Sequence, residues 1–343
     1  MKRFYCSCGT EIFFDNTICF ACGKLVGIDV VGSEMFTLRH KGNGFLAATV
    51  GSNIRYYRFC ENRSPDLLGC NLLIREDDPH TQCVSCRLTR TVPVQDIPRN
   101  VKRWRTLEEA KRRMVFNMYR HHLPFKNREE DPVKGLCFDF LEDRRSNPNV
   151  SQDVVYTGHS SGVITINAAE ADPEYRVSMR EEMNERYRTT LGHFRHEIGH
   201  YFFMTLVDGT KWERQFDVLF GDHRKNYDDS LKAYYANGPA PDWQEHHISA
   251  YASMHPLEDW AETWAHYMHM MDTLETAISF RVLDVDIEHG DFRSVINKWV
   301  ELTVIMNSLN RSVGKPDAYP FVLSSEVYDK LVFVRNIILS VRQ

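Results

Sequence analysis

Long apolar segments are absent from this sequence of 343 residues. No stretch approaches the roughly 18 uninterrupted apolar residues that a membrane-spanning helix requires. The start, "MKRFYCSCGT", carries charge but lacks the apolar region of a secretory leader. Both absences argue against a membrane or secreted protein, and they predict a cytoplasmic one.

Blocks of a single charge sign are also absent. The 42 basic and 47 acidic residues are intermixed and give a net charge of −5, which argues against a general binder of polyanions. One local basic cluster is interpreted as a solvated face, with a nucleic-acid contact as the alternative. It comprises Arg87, Arg90, Arg99, Lys102, Arg103 and Arg105.

Cysteine is scarce in the later part of the chain, because eight of the nine cysteines precede residue 87. The ninth, Cys137, is predicted to be a core residue. In a reducing cytoplasm, paired cysteines are metal ligands more often than disulfides. Zinc-knuckle spacing predicts two structural zinc ions, each closed by four thiolates with no open coordination position. The two ligand sets are Cys6, Cys8, Cys19 and Cys22, followed by Cys60, Cys70, Cys83 and Cys86.

Two details of these sets matter for the prediction. Gly9 and Gly23 follow the second thiol of each pair in the first set, where a tight turn needs a positive φ. In the second set Cys60 and Cys70 are loosely spaced, so a single knuckle beside two ordinary buried thiols is the alternative.

The composition changes after the cysteine-rich region, from short β-prone pieces such as "NIRYYRF" to helical periodicity. The two prolines of "TVPVQDIPRN" suit a linker, and Thr106 suits the cap of the first helix. "GVITIN" alternates like a half-buried strand, and two helices break near "TTLG". We predict an α+β chain with β-rich modules at residues 1–95 and a mainly helical domain at residues 96–343.

The segment from His196 to His200 fits the pattern His-Glu-x-x-His. On a helix, residues four apart share a face about 5–6 Å apart, so both imidazoles can bind one metal ion. Glu197 would then lie beside the open position and act as a general base toward a zinc-bound water. Two core histidines with satisfied hydrogen bonds are the alternative interpretation.

A third ligand is expected from "SAYASMHPLEDWAETWAHYMH", where residues 258, 262 and 266 share a helix face. Two stacked carboxylates on an aromatic helix are unfavourable to bury unless a cation lies against them. We predict Glu258 as the ligand and Glu262 as its support, hydrogen-bonding a liganding histidine. The reverse assignment is the alternative, and His266 as the ligand is a weaker one. We expect His193 to lie in the layer behind the ligands. His266 is expected there too, if it is not itself a ligand.

Two further features bear on a substrate. Tyr251 lies seven residues before Glu258, where its phenol would donate to the oxyanion of a tetrahedral intermediate. A packing role for this tyrosine is the alternative. The strand predicted in "GVITIN" would pair with an extended peptide by strand addition.

These motifs together are highly specific. Through "CVSCRLTRTVP", "TGHSSGVITIN", "YRTTLGHFRHEIGHYF", "LFGDHRKNY" and the segment around Glu258, the chain resembles a bacterial family of zinc-binding metallopeptidases with N-terminal zinc ribbons. The resemblance implies a zincin-like domain in which His196 and His200 bind zinc and Glu197 is the base. The spacing of Tyr251, Glu258 and Glu262 is similar to that in lethal-factor-type gluzincins. That likeness implies that the first glutamate binds zinc, the second supports it and the tyrosine assists catalysis.

The sequence therefore predicts a zinc metallopeptidase with one catalytic and two structural zinc ions, acting on a protein or peptide substrate. A contact between the ribbons and a protein or nucleic acid is expected as well. The alternative function is a non-catalytic zinc-ribbon adaptor, in which every zinc is structural.

Overall fold

The computed structural model describes residues 2–145, 147–182 and 189–342. The chain divides into two compact units, Arg3–Tyr175 and Arg176–Gln343. This division is made by contacts within the structure. It does not test the predicted boundary between the ribbon region and the helical domain after residue 95, which stays a prediction. Within the described ranges, no helix is both long enough and apolar enough to cross a membrane.

The first unit contains every strand found in the described part of the chain. A small hairpin and a five-stranded antiparallel sheet come first, and the sheet has the order β3-β4-β5-β6-β7. Leu38, Leu46 and Tyr57 fill one face of that sheet. The strands are β1 (Phe4–Tyr5), β2 (Glu11–Ile12), β3 (Leu25–Asp29), β4 (Glu34–Gly42), β5 (Phe45–Val50), β6 (Asn53–Phe59) and β7 (Leu73–Arg75).

A long helix, α1 (Pro98–Arg120), packs against the first ribbon in this unit. Phe116 on α1 makes edge contacts with Phe4 and Phe14, at centroid distances of 6.3 and 5.3 Å. The prediction that the helix begins at a Thr106 cap is wrong, because Pro98 occupies its first turn. Proline fits there because the first N–H groups of a helix have no acceptor within it.

A four-stranded mixed sheet completes the first unit. Its strands are β8 (Thr89–Thr91), β9 (Cys137–Leu141), β10 (Gly158–Ser160) and β11 (Val163–Asn167), in the order β10-β11-β9-β8. The strand predicted in "GVITIN" is confirmed as β11. Its expected pairing with a peptide is contradicted, because β10 and β9 hydrogen-bond to both of its edges. Cys137 is 3% exposed on β9, as predicted for a core thiol.

The second unit consists of helices and loops, with no strand among its described residues. After α2 (Pro173–Glu182), the helices are α3 (Thr190–Phe202), α4 (Glu213–Phe220), α5 (Tyr227–Asn237), α6 (Trp243–His246), α7 (Pro256–Ser279), α8 (Phe292–Ser312) and α9 (Ser325–Val341). Of the two helices expected around "TTLG", the second is α3, and residues 183–188 of the first lie outside the described residues. The fold class is confirmed: a β-rich zinc-ribbon region precedes a mainly helical domain.

Two helices, α3 and α7, form the centre of this second unit. The indole of Trp260 on α7 donates to the carbonyl oxygen of Gly199 on α3 at 2.8 Å. A Cβ at Gly199 would lie 3.1 Å from the Cα of Ala261 and 3.3 Å from Trp264. Phe202 stacks on Trp264 with a centroid distance of 4.8 Å. Glycine therefore permits the close approach that sets the two helices side by side.

Candidate metal centre

Helix α3 carries the His-Glu-x-x-His segment. Thr189 caps its first turn by accepting a hydrogen bond from the Gly192 amide at 3.0 Å, as the threonine-rich break suggests. His196 and His200 then lie one turn apart on the same face, with ring centroids 5.0 Å apart. Their spacing turns both imidazoles toward the start of α7.

Three ligand atoms converge where α3 faces α7. The Nε2 atoms of His196 and His200 lie 3.2 Å apart. The carboxylate of Glu258 approaches them at 3.0 Å through Oε2 and 3.4 Å through Oε1. A tetrahedron with zinc–ligand bonds of 2.0–2.1 Å has edges of about 3.3–3.4 Å. The separations of these side chains therefore fit a zinc ion with one position left open.

The hydrogen bonding of His196 suits a metal ligand. Its Nδ1 lies 2.7 Å from Oε1 of Glu262, and Ser249 donates to the other oxygen of that carboxylate at 2.6 Å. A His196 that carries one proton, on Nδ1, turns the lone pair of Nε2 toward Glu258. A positive charge between Nε2, the second imidazole and the carboxylate is then favourable, and either a metal ion or a second proton on His196 supplies it.

Of the open assignments for the third ligand, the geometry matches Glu258 in the ligand group and Glu262 behind it. Glu258 is 2% exposed and faces both Nε2 atoms, whereas Glu262 faces the far nitrogen of His196. Bonding between a carboxylate and the distal nitrogen of a liganding histidine is common at zinc sites, because it orients the ring. The metal-binding roles themselves remain predictions.

The charges of this cluster support one another. Burial raises the pKa of a carboxylate and lowers that of an imidazole, yet the net shifts run the other way at His196, Glu258 and Glu262. The hydrogen bonds to Glu258 and Glu262 outweigh burial and hold the pKa of His196 well above its ordinary value. Against burial, the charges of His200 and His196 keep the pKa of Glu258 well below its ordinary value.

Glu197 lies between the two histidines and is 6% exposed. Its Oε2 has no hydrogen-bond partner within the described part of the chain. Burial raises its pKa, although the charges of His196 and His200 oppose the shift. A buried carboxylate with an unused acceptor and a raised pKa is equipped to take and release a proton.

Two tyrosines border the ligands, and only Tyr251 was predicted. It lies in a short 3-10 turn, and its ring is 6.1 Å from that of His196. Burial, followed by the charge of Glu258, raises the pKa of Tyr251 well above its ordinary value, so the phenol keeps its proton. The other, Tyr227, donates to Oε1 of Glu258 at 3.0 Å. Tyr227 ends the motif "LFGDHRKNY", but no role was predicted for it, since it precedes Glu258 by 31 residues and lies in another helix.

The two remaining predicted histidines lie outside the ligand group. The Nδ1 of His266 lies 2.5 Å from the hydroxyl of Tyr319, and its ring packs on Phe321 at 4.5 Å. Burial lowers its pKa to about 4, so it is a neutral core histidine. The Nδ1 hydrogen bond of His266 goes to Tyr319 and not to a ligand, while its charge interactions reach Glu262 and His196, so its supporting role stays a prediction. His193 is half-buried one turn before His196 and is not one of the three converging residues.

The first cysteine set forms a compact cluster in the first unit. The Sγ atoms of Cys6 and Cys22 lie 3.6 Å apart, and those of Cys8 and Cys19 lie 3.7 Å apart. Four sulfurs bound to zinc at about 2.3 Å would lie about 3.8 Å from one another. Gly9 and Gly23 adopt φ values of 89° and 70°, as predicted for the tight turns after the thiols.

The second set is equally compact and more deeply buried. The Sγ of Cys70 lies 3.6 Å from that of Cys83 and 3.8 Å from that of Cys86. The amide of Cys83 points at the Sγ of Cys60 at 3.3 Å. All four cysteines converge, so the alternative of one knuckle beside two ordinary thiols is not what the fold contains.

A second histidine–carboxylate group lies on α4 and just after it. His223 Nδ1 is 2.7 Å from Oδ1 of Asp217, and Glu213 lies nearby. Arg224 supplies positive charge to this group, with Nη2 at 2.9 Å from the second oxygen of Asp217. The chain's own cation therefore offsets part of the negative charge of this group.

The basic cluster expected from the sequence is largely paired within the first unit. Asp78 pairs with Arg87, Asp139 with Arg90, and Asp172 with both Arg99 and Arg103. Arg105 donates to the carbonyl oxygens of Pro65 and Leu67. These partners hold five of the six basic side chains, and the three aspartates offset part of their charge, so a contact with nucleic acid stays the alternative prediction.

The comparisons with known proteins agree with this geometry. A family model described as "Putative zinc-binding metallo-peptidase" matches residues 100–337, and a zinc-ribbon domain model matches residues 3–97. Uncharacterized proteins of Mycobacterium bovis and Mycobacterium tuberculosis are 36% identical over 347 aligned residues, covering 98% of this chain and 95% of theirs. No solved structure matches the chain significantly.

Proposed function

The chain belongs to this family of zinc-binding metallo-peptidases, and we propose that it hydrolyses peptide bonds with a catalytic zinc held by His196, His200 and Glu258. The observation that carries the proposal is the position of Glu197. Its unpartnered, buried carboxylate oxygen lies on the same helix turn as two imidazoles that converge on a third ligand. A non-catalytic adaptor does not need a carboxylate between the two histidines, whereas a hydrolase needs one as its general base.

Glu197 and Tyr251 have different catalytic roles in this proposal. A zinc ion at this site supplies a Lewis acid and brings the pKa of a bound water to about 7. Glu197 accepts a proton from water and returns it to the leaving amine nitrogen, because its raised pKa allows both transfers. Tyr251 keeps its proton and would donate a hydrogen bond to the oxyanion of the tetrahedral intermediate.

Glu262 prepares His196 for this reaction. Its hydrogen bond to Nδ1 fixes the tautomer and the ring orientation, so that Nε2 keeps its lone pair for the metal. The two cysteine clusters offer no open position, so we assign them structural zinc ions in the ribbon region. The scheme requires three zinc ions per chain, one catalytic and two structural.

The first test compares the full-length wild type with Glu197→Gln on a peptide library derived from digested cellular protein. The substitution keeps the size and polarity of the side chain but removes the base. We expect the variant to retain its zinc and to lose about 10²- to 10⁴-fold in cleavage rate. Mass spectrometry of the products measures cleavage, and elemental analysis measures zinc.

The control variant is Glu213→Gln, which changes a half-buried glutamate outside the ligand group and should leave cleavage unchanged. Preparing all variants in parallel exposes any contaminating protease, because its activity would persist in Glu197→Gln. A wild type that holds all its zinc and cleaves nothing in the library would favour the adaptor function instead.

A further inference from the structure

Helix α5 has an unusual relation to the candidate metal centre. None of its residues is buried, which is atypical for a helix at a site. Yet Tyr227 in its first turn donates to Glu258, and the ring of Tyr234 makes an edge contact with Tyr251 at 5.9 Å. Residues seven apart lie on one face of a helix. One side of α5 therefore contacts the predicted ligand Glu258 and the predicted oxyanion donor Tyr251.

The chain before α5 is fixed to the start of α7 by His255. The Nδ1 of this histidine accepts a hydrogen bond from the amide of Leu257 at 3.1 Å, which places its proton on Nε2. Nε2 then donates to the carbonyl oxygen of Lys225 at 3.1 Å. The ring of Tyr227 packs on that of His255 at 5.3 Å. These contacts place the phenol of Tyr227 next to the ligand that follows His255 on α7.

We propose that Tyr227 is the positioning residue for the third metal ligand, holding Oε1 of Glu258 so that Oε2 faces the metal. The inference rests on the proposed function and concerns the same site. Glu258 is almost fully buried, and a buried carboxylate oxygen without a hydrogen-bond donor would strongly destabilise the folded site. Tyr227 removes that penalty and restricts how the carboxylate can turn. It also links α5 directly to a metal ligand, in addition to the contacts that His255 and Tyr251 make with this part of the chain.

The test is the affinity of the full-length protein for zinc at this site, measured by competition with a chelator while both cysteine clusters stay loaded. Tyr227→Phe removes only the hydroxyl. We expect it to weaken binding of the third zinc by about 10- to 100-fold, the range typical of partners that orient a ligand. The matched control is Tyr235→Phe, because Tyr235 lies on the same helix and is 63% exposed. It should bind zinc as the wild type does.

Repeating Tyr227→Phe in a Glu258→Ala background distinguishes an effect of Tyr227 through Glu258 from a general structural role of Tyr227. If Tyr227 acts through Glu258, its loss should change zinc affinity less than about twofold there, since coupled residues are not additive. Equal effects in both backgrounds would overturn the inference, as would a Tyr227→Phe variant that binds three zinc ions with wild-type affinity. A wild type that binds only two zinc ions would overturn the proposed function together with it.

Discussion

His196 meets a carboxylate on each ring nitrogen, and the two contacts have different consequences. Glu258 approaches Nε2 at 3.0 Å, whereas Glu262 holds Nδ1 at 2.7 Å. A histidine with its Nδ1 proton engaged keeps an Nε2 lone pair aimed at one point. The ligand quality of His196 therefore depends on a residue that does not bind the metal.

That dependence makes a graded prediction. Glu262→Ala leaves the Nδ1 proton of His196 without its acceptor, so affinity for the third zinc should fall about 10- to 100-fold. Glu262→Gln keeps an amide oxygen as acceptor but removes the charge, so its loss should be smaller. Chelator competition measures both variants. Equal affinity in the alanine variant and the wild type would show that the ring is oriented by packing alone.

At this scale, sequence predicts the residues whose chemistry requires a fixed spacing. His196, Glu197 and His200 lie within one helix turn, and Glu258 with Glu262 repeats the interval of four. Tyr227 could not be found this way, because its partner is brought close only by tertiary packing. The partner of His266 could not be predicted either: this histidine shares the helical interval with Glu262, and its hydrogen bond goes to Tyr319, 53 residues away in the sequence.

Among the elements, α1 is bound to the chain after β11 by a buried ion pair. Nη2 of Arg103 is 2.6 Å from Asp172, and the two side chains are 3% and 14% exposed. Burial alone would raise the pKa of Asp172, but Arg103 and Arg99 hold it below its ordinary value of 3.8. Because the folded pKa is depressed, the stabilisation is present above pH 3.8 and is lost as the pH falls through the folded pKa.

Asp172→Asn should therefore destabilise the protein at pH 7, by about 3 kcal/mol, the range for a buried pair that loses one partner. The difference from wild type should shrink below about pH 4 as the aspartate is protonated. Urea unfolding at a series of pH values measures it. The control is Asp153→Asn, whose pair with Arg144 is 2.9 Å long but 81% exposed at the aspartate, and it should change stability by less than about 1 kcal/mol. A destabilisation of Asp172→Asn that does not depend on pH would show that packing, and not charge, is responsible.

Some element boundaries follow directly from residues that cap or break a helix. Gly238 ends α5 with a φ of 75°, and Ser324 caps α9 by accepting a hydrogen bond from the Val327 amide. The start of α1 was predicted wrongly, because Pro98 reads equally well as linker or first turn. The five-stranded sheet was not predicted as a sheet, since strand pairing joins residues far apart in sequence.

Across the part of the whole molecule that the structure describes, the two cysteine clusters and the group of His196, His200 and Glu258 differ in exposure and in ligand charge. The second cysteine cluster is at most 3% exposed at every thiol, whereas Cys8 and Cys22 of the first are exposed. A buried arginine, Arg112, also serves the second cluster. Burial would lower its pKa, but negative charge on Cys70, Glu108 and Cys86 holds it above its ordinary value. Its positive charge offsets the excess negative charge of four thiolates on one divalent ion.

These differences predict the order in which a loaded chain releases zinc to excess chelator. The site of His196, His200 and Glu258 has only one charged ligand and an open position, so it should empty first. The first cysteine cluster should follow, because chelator reaches its exposed thiols, and the second cluster should empty last. We expect three phases of release, each of about one zinc ion per chain. The absorbance of a zinc-binding dye measures them. His200→Ala should remove the first phase alone, and Cys8→Ser the second alone. Release of all the zinc in a single phase would show that the metals are bound cooperatively, and that burial does not set the rate of release at each site.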